Sequence, residues 1–360
     1  MQTMTNKRLY VDFHIIQTVP PSCVNRDDTG RPKTAVYGGV NRARVSSQAW
    51  KHAMRSRFLD IFADDQLGFR TKYAAVLIAK AIQKRDPSVS DEDAEKLAAA
   101  ALTDAGIKVN DKKGNVTGAL FFISSIQADR LAELKLSGEK DKKAYKAALK
   151  EAPSIDLALF GRMAADDNDL NVDACAQVAH SISTHAIQNE YDYFTAVDDY
   201  SQTDNAGAGH LGTMEFNSAT LYRYATVNAV DLFNNIGADT ADAVKGFADA
   251  FIRSMPTGKQ NSYANKTLPD MVYVTIRTDQ PVNLSGAFEK AVRANEHYEE
   301  KGYVEKSEEK LFEYAQKIYS DYCGEPVCSF VIGHNGILGA EKVNINELLE
   351  KLHKYISGNI

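Results

Sequence analysis

Hydrophobic and polar positions alternate from the start of the chain. Leu9, Val11, Phe13 and Ile15 interleave with Tyr10, Asp12 and His14, which predicts a half-buried strand over Arg8–Gln17. His14 falls on the polar side with no second histidine or cysteine nearby, and reads as a surface or packing residue rather than a ligand. The alternation then stops. Pro20-Pro21 and Gly38-Gly39 punctuate a long polar loop over 20–41 that holds Ser22, Asn25, Arg26, Asp27, Asp28, Arg31 and Lys33. Arg42-Ala-Arg-Val45 is a short strand-like stretch with Arg42 and Arg44 on one side, and Ser46 or Ser47 then caps a helix. In that helix Trp50, Met54 and Phe58 make a buried seam, while Gln48, Lys51 and Arg55 share another face.

From Phe58 to Leu149 the periodicity is mostly helical. Tyr73–Lys84 and Asp91–Ala105 are alanine-rich helices, the second capped by Ser90 and stopped by Gly106. Asp111–Asn115 is a turn, and Asp141–Lys150 is a lysine-bearing helix ended near Pro153. Its lysines mix with Glu139, Asp141 and Glu151, the pattern of a solvated face. Ile155–Leu159 reads as a second strand, followed by Gly161-Arg-Met-Ala164. Val172–Ile187 reads as a helix or helix-strand segment carrying His180 and His185. Residues 190–217 read as an extended excursion with small residues at its tip. Leu221–Val227 and Met271–Arg277 read as strands. Thr240–Met255, Ser285–Val292 (prolonged by a charged segment to Tyr319) and Asn344–Tyr355 read as helices. Strands interleaved with helices predict an α+β core of split-βαβ, ferredoxin-like type with a helical insertion. The aromatic stacking signature of a simple RNA-recognition motif is not legible in strands 8–17 or 221–227.

Charge changes this picture more than composition does. At 360 residues, 44% hydrophobic and 25% charged, the chain is an ordinary soluble globular protein of one elaborated domain or two. The net charge of −6 conceals a +7 segment over 1–57 and −13 over the remaining 303 residues. A basic patch on an acidic body fits a protein that grips a polyanion at one place, or one whose acidic surface meets a basic partner. No apolar run reaches membrane-spanning length, and the N-terminus reads as no signal peptide, so a cytoplasmic location and no membrane partner are expected. Cys23, Cys175, Cys323 and Cys328 are scattered, with no histidines placed for zinc; neither metal nor cofactor is expected.

The chemistry the residues offer is anion binding. Two arginines, two hydroxyls, helix-start amides and a Gln/Lys/Arg face lie within 42–55, the parts that hold phosphates and sugars. Lys259-Gln-Asn-Ser-Tyr263 is a polar, aromatic-bearing loop suited to phosphate contact and base stacking. Nucleophile, P-loop, zincin and dinucleotide motifs are all missing, and no enzyme is expected. Asp27-Asp28 and Asp166-Asp167 are acidic pairs that ordinarily serve as caps or solvated turns.

Several strings taken together resemble the CasC-type (Cas-seven family) backbone subunit of type I-E Cascade CRISPR complexes. They are Pro21–Asp28, Gly38-Gly39, Arg42-x-Arg-Val-Ser-Ser-Gln48 with Lys51 and Arg55, Gly161–Ala164, Phe194–Asp199, His210–Thr213 with Glu215-Phe216, Tyr222–Ala225, Lys259-Gln260 with Tyr263-Ala264, and Asn283–Val292. The matches keep the family's order over about 8–292; the helical insertion and the last sixty or so residues match poorly. The resemblance implies a hand: an RRM-like (ferredoxin-like) palm from 1–58, 155–189 and 218–360, a helical finger insertion over 59–154, and an extended thumb over 190–217. It implies a non-catalytic scaffold whose copies stack head to tail along CRISPR RNA and present the guide to target DNA for antiviral defence, beside large, small and guide-end-binding Cascade subunits. The RNA-binding residues it implies are Ser22, Asn25, Arg26, Lys33, Arg42, Arg44, Ser46, Ser47, Gln48, Lys51, Arg55, Arg162, Met163, Phe194, Val197, His210, Leu211, Gly212, Lys259, Gln260 and Tyr263. Met163 becomes a candidate wedge against bases. Two other readings compete: a metal-dependent ribonuclease using Asp27 or Asp28, as related backbone subunits of type III complexes do, and a structural protein with no nucleic acid.

Overall fold

The computed structural model describes residues 8–196, 200, 210–293, 301–334 and 338–360. The first segment forms β1 (Tyr10–Ser22), β2 (Thr34–Tyr37), β3 (Val40–Val45) and α1 (Ser47–Phe58). The second holds β4 (Gly68–Thr71), α2 (Ala74–Arg85), α3 (Asp91–Asp104), β5 (Val109–Asn110), β6 (Val116–Thr117), β7 (Phe121–Ser124), α4 (Ser125–Leu136), α5 (Lys142–Lys150) and α6 (Ile155–Phe160). The third runs through β8 (Ala176–Val178), β9 (Ser181–Ser183), β10 (Glu190–Ala196), β11 (His210–Asn228), α7 (Ala229–Ile236), α8 (Thr240–Arg253), α9 (Gln260–Tyr263) and β12 (Met271–Arg277). It ends with α10 (Tyr303–Ile318), β13 (Cys328–Ile332), β14 (Glu341–Lys342) and α11 (Ile345–Asn359).

One mixed sheet dominates, in the order β14-β13-β12-β1-β11-β9-β3-β2, with β8 and β10 also paired to β11. Central β1 lies antiparallel between β11 and β12. Its Val11, Phe13 and Ile15 belong to a core built with Met54 and Phe58 of α1, Phe247 and Phe251 of α8, and Leu348 and Leu352 of α11. The opposite face is covered too. Ile16 packs there with Tyr222, Tyr273, Leu311 and Phe312, under α10 and a 3₁₀ turn at Leu284–Phe288. The expected half-buried strand is therefore buried on both sides, and its polar positions form a second, polar core. His14 is the packing residue of the two options: its Nδ1 lies 2.9 Å from Tyr222 Oη. Asp12 accepts hydrogen bonds from Val282 N (2.8 Å) and Tyr224 Oη (3.2 Å).

Burial shifts both groups, in senses that oppose each other. Burial, then the Arg277 charge, lowers His14 from 6.5 to about 3, and burial raises Asp12 from 3.8 to about 6. The unfolded chain protonates His14 near 6.5 and the folded chain only near 3, so acidification through that window favours unfolding. For Asp12 the folded state takes the proton first, so acidification from about 6 to 3.8 favours folding. His14→Gln removes only the first contribution. Urea midpoints should show the variant destabilised near neutrality, with the gap to the unmodified protein closing by up to about 1.4 kcal/mol per pH unit below 6.5. A gap independent of pH contradicts this account of His14.

The helices α2 to α5 carry their own core. Alanines 74, 75, 79, 94, 98 and 101 let α2 and α3 pack closely, and Ile78, Leu102, Leu131, Tyr145 and Leu149 fill the centre. Ser90 caps α3, accepting from Asp93 N, and Gly106 follows with φ +94°. Among the described residues no helix is long and apolar enough to cross a membrane.

Four elements differ from the sequence expectation. The loop over 20–41 shortens to 23–33: β1 continues to Ser22, and β2 and β3 form a hairpin turned by Gly38 and Gly39, both at positive φ. Ile155–Phe160 is a helix rather than a strand, because a short apolar run does not fix its own period. The 172–187 segment contains two short strands that join β11 and β3, not a helix. Ser285–Val292 shortens to the 3₁₀ turn. Strand β13 extends the sheet beyond β12.

Candidate nucleic-acid interface

The start of α1 is held from three sides. Ser46 is the cap: its Oγ accepts from Ala49 N at 3.2 Å, while its own N donates to Asn25 Oδ1 at 2.9 Å. Ser47 N donates to His180 Nδ1 at 2.8 Å. The helix N-terminus is thus largely satisfied internally, and what it contributes is position. Trp50 Nε1 donates to Ser181 Oγ (2.9 Å), fixing α1 on β9. Arg223 sits over the rings of Trp50 (3.7 Å) and Phe251 (4.6 Å) and donates to Gln17 Oε1 at 2.6 Å.

Around this fixed point cationic and polar side chains converge from distant parts of the chain. Ser22, Asn25, Lys33, Arg44 and Asn217 line one small recess of about 20 Å3. Lys33 and Arg44 are half-buried, while Arg26, Gln48 and His180 are exposed. Partial burial, then the Arg44 and Lys33 charges, hold His180 below its usual value, so it is a neutral hydrogen-bonding group there. Beside the recess a groove of about 600 Å3 runs between loop 24–30, α1 and residues 255–258, with Arg26 and His52 in its lining. The Lys259–Tyr263 stretch folds as the single turn α9, not an open loop. Gly258 allows it to approach, since a Cβ there would sit 2.0 Å from Val24 O. Tyr263 reaches β11, with Oη 3.9 Å from Met214 Sδ and its ring 6.2 Å from that of Phe216. Arg31 pairs with Glu215 at 2.8 Å, bracing the 25–33 loop against the same strand.

Several residues expected to touch RNA are instead structural. Arg42 is fully buried, and its guanidinium donates to the carbonyls of Tyr37, Ser183, Phe288 and Glu289 at 2.9–3.3 Å. Arg162 is 5% exposed and donates to Leu170 O, Phe122 O and Leu149 O at 2.8–3.0 Å; burial lowers its value to about 10. Arg55 ties α1 to α6 and β4 through Asp156 (3.0 Å) and Gly68 O (3.1 Å). Ser22 is buried and donates to Pro20 O, and Ser46 is occupied as the cap. In each case the side chain's own polar partners hold it in the body of the protein. Lys51 keeps an intermediate position, with Nζ 5.4 Å from the Phe160 ring centre and its value lowered by burial.

Met163 is 81% exposed, so it is not core filler. Its neighbour Arg162 anchors the turn that presents it. β10 and the first part of β11 form a two-stranded arm in which every β10 side chain is exposed, Tyr191 and Tyr193 among them. Phe194 lies opposite Gly212, where a Cβ would come within 2.4 Å of the ring, so that glycine makes room for an aromatic across the arm. The backbones of His210 and Leu211 lie in β11, while their side chains and Val197 fall outside the described residues. His180 carries no motif that marks it in the sequence. Nothing in its local sequence signals contact with Ser47.

Of the acidic pairs, Asp27, Asp166 and Asp167 are held by partners, and Asp28 is exposed. Asp27 Oδ1 accepts from Thr29 N, Thr29 Oγ1 and Arg31 N at 2.8–2.9 Å, an Asx turn, and the Thr29 hydroxyl leads in holding the carboxyl below its usual range. Asp167 pairs with Lys146, and Asp166 accepts from Lys108 N. Among the described residues no group of histidine, cysteine or carboxylate side chains is arranged to hold a metal.

No curated protein sequence matches the chain. Among solved structures, a chain of a "CRISPR RNA-guided surveillance complex, pre-nicking" superposes with a TM-score of 0.78 at 30% identity, covering 98% of this chain and 100% of that one. A chain of another "CRISPR RNA-guided surveillance complex" gives 0.71 at 27% identity, covering 95% and 99%. The sequence profile of the CT1975-like proteins matches residues 11–355. This chain, with its ten-stranded mixed sheet and separate helical core, belongs to the CT1975-like protein family.

Proposed function

We propose that this protein is a guide-RNA-binding backbone subunit of a type I-E CRISPR surveillance complex, and a scaffold rather than an enzyme. The observation that carries the reading is the convergence of Lys33 and Arg44 with Arg26, Gln48 and His180 around a rigidly held helix start. Similarity over nearly the whole chain to subunits of RNA-guided complexes supports it. A subunit that accepts any guide contacts phosphates and 2′-hydroxyls and leaves base edges free for target DNA. In this reading the large sheet with its helices is the RRM-like palm (1–58, 155–189, 218–360), residues 59–154 are the finger and 190–217 the thumb. Copies stack head to tail in the cytoplasm, a heterologous contact that extends instead of closing, and the other Cascade subunits join the filament. Exposed Met163 and the arm bearing Phe194 act on the bases between gripped segments. Asp27 is tied into its turn, which favours a scaffold over a nuclease.

Size exclusion of the purified full chain with guide RNA, before and after ribonuclease, tests the reading. Large assemblies that collapse after digestion are expected. A monomer unchanged by guide RNA contradicts the scaffold. So does Mg²⁺-dependent cleavage of a complementary RNA that Asp28→Ala abolishes.

A further inference from the structure

At the far end of the β2–β3 hairpin from the α1 start lies a second groove. The hairpin turn presses on the 288–289 backbone: Gly38 has φ +59°, and a Cβ there would sit 1.6 Å from Glu289 O. The groove, about 560 Å3, is lined by Gly38, Val40, Lys290, Arg293 and Tyr303 among others. Lys290 and Arg293 are exposed. Two further cations stand behind them: Lys306 Nζ donates to Arg293 O (3.4 Å) and Lys310 Nζ to Lys290 O (3.0 Å). Buried Arg42 lies beneath, bonded to the carbonyls of Phe288 and Glu289. On the acidic side, Glu289 is on the rim, Glu313 is near Lys310, Glu305 is exposed on α10, and Glu309 pairs with Lys301. Partial burial, with Lys290 and Arg42 close by, lowers the Lys310 value, as expected where positive charge is gathered. Tyr303 stacks on His185 with ring centres 3.8 Å apart, which stiffens an aromatic wall of the groove.

We infer that this groove is a second seat for a single-stranded phosphodiester backbone, continuing the track that begins at Lys33, Arg44 and Gln48. The inference rests on the proposed function and deepens it. Clustered cations beside a stiff aromatic surface are what single-strand sites use, the cations for phosphates and the ring for a base. The hairpin spans roughly 20 Å at about 3.3 Å per residue, a distance a few nucleotides can bridge.

The full chain is titrated with labelled single-stranded RNA of about 6 and about 18 nucleotides, lengths chosen to occupy one seat or both. Lys290→Ala/Arg293→Ala is expected to leave the short RNA unaffected. It should weaken the long one roughly ten-fold and flatten its log–log salt slope by about 1.4, or about 0.7 per lost contact. Lys33→Ala/Arg44→Ala should weaken both lengths. Because Lys290 and Arg293 are exposed, circular dichroism should show an unaltered fold. Unchanged binding of the long RNA by Lys290→Ala/Arg293→Ala overturns the inference while leaving the proposed function standing on the Lys33/Arg44 result. If the unmodified protein binds neither length, both fall. In the assembled complex, photo-crosslinks from thiolated guide or thiolated target to peptides spanning 289–303 tell which strand occupies the groove; crosslinks from neither strand overturn the inference.

Discussion

Arg42→Ala is expected to cost about 3–5 kcal/mol of folding stability, whereas Arg44→Ala, two residues along the same strand, is expected to cost less than about 1 kcal/mol. The sequence presents them as a pair on one side of β3. Yet Arg42 is fully buried beneath the β2–β3 turn and satisfies four carbonyls from three segments of the chain. Alanine leaves those acceptors dry and unpaired and opens a cavity beside Phe288. Arg44 is half-buried, and its Nε donates to a single carbonyl, that of Thr34, at 3.2 Å. Its removal costs one partly solvated bond. Since a whole domain is stable by only about 5–15 kcal/mol, the first variant loses a large fraction of that margin. Urea denaturation of both variants is the measurement; equal, small losses would contradict the scaffolding role given to Arg42.

The reverse holds for RNA. Lys33→Ala/Arg44→Ala is expected to lower affinity for single-stranded RNA roughly ten- to thirty-fold near 0.15 M salt and to reduce the salt slope by about 1.4. The two cations share a recess beside the α1 start, and Ser47 N fixes His180 between them and the helix. In the proposed mode these side chains meet phosphates and 2′-hydroxyls rather than base edges, so the loss should be the same for every RNA sequence. In urea the variant should lose only about 1 kcal/mol, because both groups are half-buried and Arg44 gives up one partly solvated bond. An affinity within two-fold of the unmodified protein would remove these residues from the interface.

What could be read in advance followed local chemistry. The seam of Trp50, Met54 and Phe58, the Ser90 cap and the strand Met271–Arg277 appear as expected, because each is set by a period or a cap that lies within a few residues. The short apolar run Ile155–Leu159 reads as a strand but folds as a helix, because five residues cannot distinguish a period of 2 from one of 3.6. For Asp12 and His14, alternation gives a second face but does not say what covers it, and here α10 arrives from nearly 300 residues away. The candidate site shows the same limit. A basic strand-to-helix stretch was visible, but Arg42, Arg55 and Arg162 differ from Arg44 and Lys33 only in what the rest of the chain brings to them. Asp156, Gly68 O, Leu149 O and Phe288 O are long-range partners with no local signature. Charge pattern marks the candidate interface, and burial decides which charges are left for the proposed contacts.

The most direct test of the central claim is a titration of the full chain with two RNAs of equal length and unrelated sequence across a range of salt. The account predicts dissociation constants within about two-fold of each other and parallel linear log–log salt plots, the mark of contacts to phosphate alone. Failure to bind either RNA, or slopes and affinities that diverge with sequence, would contradict it.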